Sequence, residues 1–120
     1  PARATIIGAE IGWIGEGLPA FHPTDEELKE LCDVLARLDE LSRLVVRSPE
    51  VTDHAMAHVG SLRGLRYLEL YEVHITDKGL ASVARLPHLR MLVLGNCKYV
   101  TPEAILQLEQ SRENLQILYE

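Results

Sequence analysis

The sequence predicts an α/β solenoid of stacked strand–helix units, and three observations predict it. Leu41, Leu65, Leu89 and Leu115 open four similar segments, LSRLVVRS, LRYLELYE, LRMLVLGN and LQILYE, at spacings of 24, 24 and 26 residues. A second landmark recurs in phase with the first: Val51-Thr52-Asp53, Ile75-Thr76-Asp77 and Val100-Thr101-Pro102, with Pro23-Thr24-Asp25 as an earlier copy. After each Thr the apolar spacing turns helical. A period of about 20–50 residues is the signature of repeat architectures, in which no unit buries its apolar face alone.

Residues 1–22 stand outside the repeat. Ile6, Ile7, Ile11, Trp13, Ile14 and Leu18 are interleaved with Gly8, Gly12, Gly15 and Gly17. These glycines interrupt any signal-peptide core. No Lys-Ser or Lys-Thr follows them, so a phosphate loop is not indicated. An irregular β cap over the first repeat is expected here, because a terminal repeat otherwise leaves its outer face bare. Residues 23–120 hold about four units.

In each unit the Leu-x-x-Leu-x-Leu stretch ends in the period-2 step of a short strand. Leu44, Leu68 and Leu92 are expected on adjacent rungs of one ladder. Each Thr suits a helix N-cap, its hydroxyl accepting from the free N–H groups of the first turn. Asp25, Asp53 and Asp77 follow, where negative charge suits the N-terminus, and Thr24 with Glu27 has capping-box spacing. Pro102 takes the first helical position, where its missing N–H costs nothing. Leu28, Leu31, Val34, Leu35 and Leu38 fit one helical stripe, as do Leu80, Val83 and Leu86, and Ile105 and Leu108. Helices of two or three turns are marginal alone and must pack on their neighbours. The fourth unit is expected to be truncated after its strand, leaving an apolar edge at Leu115 to Tyr119 for a partner or a second copy.

The 120 residues fit one domain, 47% of them apolar and 25% charged. No apolar run approaches the ~18 residues that suggest a membrane span, so no membrane association is expected. The net charge is −6, with twelve basic residues against eighteen acidic. That balance argues against nucleic-acid binding, which rests on Lys and Arg neutralising phosphates. Cys32 and Cys97 fall in apolar-patterned positions and are too few for a disulfide framework. Read as buried free thiols, they point to a reducing, cytoplasmic setting.

The repeat resembles the leucine-rich-repeat family, and in particular its cysteine-containing subtype. The third unit carries the likeness best, with Leu89, Leu92, Leu94, Cys97, Val100, Thr101, Ile105 and Leu108. Val73 and Pro49 stand where the subtype places its Cys in the other two units, and the resemblance covers roughly residues 24–118. It implies a right-handed, curved solenoid with a parallel sheet on the concave face and short helices on the convex face. It also implies binding of a protein partner through the concave sheet. The subtype is common in substrate receptors of ubiquitin ligases, but with no F-box-sized segment before the repeats that role is not expected here.

With the leucines turned inward, strand alternation names the opposite face. Arg43, Val45 and Arg47 come from the first strand, Tyr67, Glu69 and Tyr71 from the second. Met91, Val93 and Asn96 come from the third, and Ile117 and Tyr119 from the last. Aromatic, Met and Arg side chains are enriched at protein interfaces. Stacked tyrosines can also serve cross-strand packing alone. Arg43 and Arg47 lie one repeat from Glu69 and can pair with it or with an acidic partner.

Chemistry is weakly indicated elsewhere. His54 and His58 are four residues apart, but Ala55 replaces the Glu of a zinc-peptidase motif and no third ligand is evident. They read as surface histidines. Neither Cys has an evident base beside it, and no Gly-x-Ser-x-Gly occurs. The chain is therefore read as a non-enzymatic interaction module without metal or cofactor. The alternative is an assembly subunit or homodimer joined through the C-terminal edge.

Overall fold

A threonine starts each described helix. The computed structural model describes residues 24–37 and 42–119. Within them helices α1 (Asp25–Leu35), α2 (Asp53–Val59), α3 (Asp77–Val83) and α4 (Pro102–Ser111) alternate with strands β1 (Arg43–Arg47), β2 (Tyr67–Tyr71), β3 (Met91–Gly95) and β4 (Gln116–Tyr119). The cap hydroxyls of Thr24, Thr52, Thr76 and Thr101 accept from the N–H groups of Glu27, His54, Lys78 and Ala104. Glu27 answers with a bond from the Thr24 N–H at 3.0 Å, closing a capping box. The cap expected over residues 1–22, together with Leu38 and Leu41, lies outside the described residues.

The strands form one parallel sheet in the order β1-β2-β3-β4. Its helix in each connection makes the parallel pairing reachable. Leu44, Leu68 and Leu92 stand on adjacent rungs, as do Val46, Leu70 and Leu94. These side chains share one buried core with Leu28, Cys32 and Leu35 of α1, Met56 and Val59 of α2, Leu80 and Val83 of α3, and Ile105 and Leu108 of α4.

Two details depart from the sequence reading. In α1 the buried stripe is Leu28, Cys32 and Leu35, while Val34 is exposed. Cys32, four residues after Leu28, holds the middle of the stripe, and Val34 projects from another side of the helix. In β4 the register differs by one residue. Ile117, not Leu118, pairs with Leu92. Leu115 and Ile117 are buried two residues apart, where the earlier units bury Leu65 and Leu68, and Leu89 and Leu92, three apart. Leu115 stands immediately before β4, whereas Leu65 and Leu89 stand two residues before β2 and β3, and a one-residue shift exchanges the faces of a strand.

Neighbouring units are joined by polar bonds as well as by the core. The Asp25 carboxylate accepts from the N–H of Thr52 at 2.7 Å and from its hydroxyl. Asp53 does the same for Thr76, at 2.8 and 2.6 Å, and Asp77 for Thr101, at 2.8 and 2.9 Å. These aspartates were expected to serve only their own helix N-termini. At the other end of the helices Arg112 donates to the carbonyls of Ala84, Leu86 and Leu89 at 2.6, 3.0 and 3.2 Å. It satisfies acceptors where α3 ends and its turn begins. Gly60, after α2, lies so close to the next unit that a Cβ there would stand 2.8 Å from the Ser82 carbonyl oxygen.

No helix among the described residues is long and apolar enough to cross a membrane.

Candidate interaction face

The sheet face turned away from the core is built in three rows by the parallel register. Arg43, Tyr67, Met91 and Gln116 form the first row. Val45, Glu69, Val93 and Leu118 form the second, and Arg47, Tyr71 and Gly95 the third. Strand backbones hold these side chains at fixed spacing, so the face is rigid.

Charge is organised around Glu69. Arg43 Nη2 donates to Glu69 Oε2 at 2.6 Å, and the Tyr71 hydroxyl donates to Glu69 Oε1 at 2.7 Å. The Arg47 guanidinium lies 5.0 Å from the centroid of the Tyr71 ring and forms an ion pair with Glu72 at 3.4 Å. Such stacking is a cation–π contact. Of the two arginines set beside Glu69 in the sequence reading, Arg43 pairs with it and Arg47 turns to Glu72. The Tyr71 hydroxyl is held above its ordinary pKa, first by burial and then by the bond to Glu69 and that residue's charge, with Arg47 and Arg43 opposing. It therefore remains a donor at neutral pH.

The ring of Tyr71 rests on Gly95, where an added Cβ would meet Cδ1 of the ring. An isolated glycine in a strand marks a close approach, and that signal was available in the sequence. Arg43, Tyr67, Gln116 and Leu118 are the more open members of the face, with Tyr67 39% and Leu118 46% exposed.

The expected face residues separate as follows. Arg43, Arg47, Tyr67, Glu69, Tyr71, Met91 and Val93 are accessible on the outward rows. Val45 occupies an outward position but is only 5% exposed, so it supports its neighbours rather than presenting itself. Asn96 lies beyond β3 in a left-handed conformation, φ 54°, matched one unit earlier by Glu72 at φ 61°. Such turns suit Asn better than most residues. Ile117 is a core residue, 7% exposed, and Tyr119 pairs with Leu94 on the core side of the ladder. Both assignments followed from the register displaced by one, which also concealed Gln116 and Leu118.

Other candidates are placed apart. His54 is exposed on α2 and His58 partly buried. Among the described residues no group of three His, Cys, Asp or Glu is arranged to hold a metal ion. Cys32 is buried and its thiol is pushed up to about 12, first by desolvation and then by the charge of Asp33. Burial also raises Cys97, against hydrogen bonds from the backbone of Val73 and Glu72. Its Sγ lies 3.4 Å from the Leu70 carbonyl of the preceding strand. Both thiols are held in the protonated form, which is a poor nucleophile.

The chain matches no family model, and no curated protein matches it.

Proposed function

We propose that this chain is a leucine-rich-repeat solenoid that binds a protein partner through the outward face of its parallel sheet. The carrying observation is Tyr67, open to solvent on a rigid strand beside side chains already fixed by one another: Arg43, Glu69, Tyr71, Arg47 and Glu72. Preorganised aromatic and Arg side chains lose little freedom when a partner arrives. Met91 lies beside Tyr67 in the register, and Val93 beside Leu118, so an apolar strip runs past the charged cluster. An apolar centre with a polar margin is the common anatomy of such interfaces. The complementary surface would offer an apolar side chain to Tyr67 and Met91, and polar groups to Arg43 and Glu69.

The test is capture with the immobilised intact chain, followed by calorimetry with the captured protein. Tyr67→Ala with Met91→Ala should weaken binding by at least about tenfold, the scale of central interface residues. Glu26→Ala with Lys29→Ala on α1 should leave it unchanged. Equal affinity for the sheet-face variant and the unaltered chain would refute the assignment.

A further inference from the structure

The turns leading into β3 and β4 border a cleft of about 650 Å3, separate from the outward sheet face. Arg66, His88, Arg90, Arg112, Glu113 and Asn114 are among its lining residues. Arg66 and Arg90 occupy the same position in successive units, immediately before β2 and β3. The N–H of Arg90 donates to the Arg66 carbonyl at 2.8 Å, so the two sit on adjacent rungs, about 5 Å apart in backbone. Both are exposed, and neither has an ion-pair partner among the described residues. Arg112 adds a third positive charge, held in place by its three carbonyl acceptors.

This concentration of positive charge stands in an acidic chain of net charge −6. Arg66 and Arg90 place like charges on adjacent rungs, where they oppose each other, and an anion between them would offset that repulsion. Two guanidinium groups present planar pairs of donors that match the oxygens of a phosphoryl group. The His88 ring and the Asn114 amide can supply further donors beside them. Glu113 is the one carboxylate in the lining and works against an anion.

We propose that this cleft binds a phosphoryl group through Arg66 and Arg90. The same chemistry is offered by free phosphate or a small phosphate ester and by a phosphorylated side chain of a peptide. The test is an NMR titration of the intact chain with inorganic phosphate, with chloride at matched ionic strength as reference. A phosphoserine peptide and its unphosphorylated counterpart are titrated in parallel.

Phosphate should shift the Arg66, His88 and Arg90 signals as a group, and chloride should not. Arg66→Gln with Arg90→Gln should weaken phosphate binding by about tenfold or more, as expected for losing bonds to a charged group. Glu113→Gln should strengthen it, and Lys29→Gln on α1 should leave it unchanged. Tighter binding of the phosphopeptide than of inorganic phosphate assigns the group to a peptide; equal or weaker binding assigns it to a small ligand. Shifts scattered over the surface, the same response to chloride, or an unaltered affinity in the double arginine variant would overturn the proposal. The titration of the unaltered chain stands whether or not any variant folds.

Discussion

Asp53 and Thr76 are joined twice: one carboxylate oxygen receives the Thr76 N–H at 2.8 Å and the other its hydroxyl at 2.6 Å. The same hydroxyl accepts from Lys78 N–H and so caps α3. Capping a helix and attaching it to the preceding unit are thus one arrangement, repeated at Asp25 with Thr52 and Asp77 with Thr101. Replacing Asp53 with Ala should lower stability by about 1–3 kcal/mol, since two donors lose their acceptor. Asn keeps one acceptor and should cost less. Urea unfolding midpoints in the order unaltered, Asn, Ala would establish this, and coincident midpoints would remove the joint from the account.

Gly60→Ala is a second test of how closely the units approach. Gly60 has φ −64°, a conformation any residue adopts. On that ground Ala would add about 0.4–1 kcal/mol of stability. The new Cβ, however, would stand 2.8 Å from the Ser82 carbonyl oxygen, a backbone atom of the next unit. Overpacking of this kind costs about 1–3 kcal/mol, so net destabilisation is expected. A rise in the melting temperature of Gly60→Ala would contradict the close approach.

Gly95→Ala should act on the outward face rather than on the core. The added methyl would displace the Tyr71 ring and with it the Arg47 stack and the bond to Glu69. Ring-current shifts at Arg47 report the displacement, and partner affinity should fall with little change in melting temperature. Retained Arg47 shifts would show that the ring accommodates the methyl.

Alkaline pH should weaken the fold through Cys32. Its thiol ordinarily titrates at 9.0 and is pushed up to about 12 by burial and by Asp33. Above the lower value the unfolded chain releases this proton while the folded chain retains it. The contribution is therefore complete below pH 9, declines as pH rises and is lost by about pH 12. Cys32→Ala should flatten stability against pH in that window, whatever its effect at neutral pH. Parallel curves for the two proteins would rule out this origin.

Much of this architecture was legible because two landmarks recur in phase. Leu44, Leu68 and Leu92 on adjacent rungs, and the Thr caps, follow from spacing and side-chain chemistry alone. The outward face was legible where the period held, through β1 to β3. It failed at Ile117 and Tyr119 because Leu115 stands one residue closer to its strand than Leu65 and Leu89 do, which exchanges the two sides of β4, and Leu115-x-x-Leu118 imitates the earlier spacing. The link from Asp53 to Thr76 needed knowledge of which helices are neighbours, which no single unit contains. Arg112 was invisible for the same reason, because its three carbonyl acceptors are 23 to 28 residues away.

The paired Asp–Thr joints also limit how such a molecule can change length. Insert or delete a complete unit, and every carboxylate still finds a threonine at its offset. Insert one residue inside a strand or two inside a helix, and side chains exchange sides while the joint beyond is thrown out of line. Growth and shrinkage are therefore tolerated in whole multiples of the repeat, with loose increments confined to the turns.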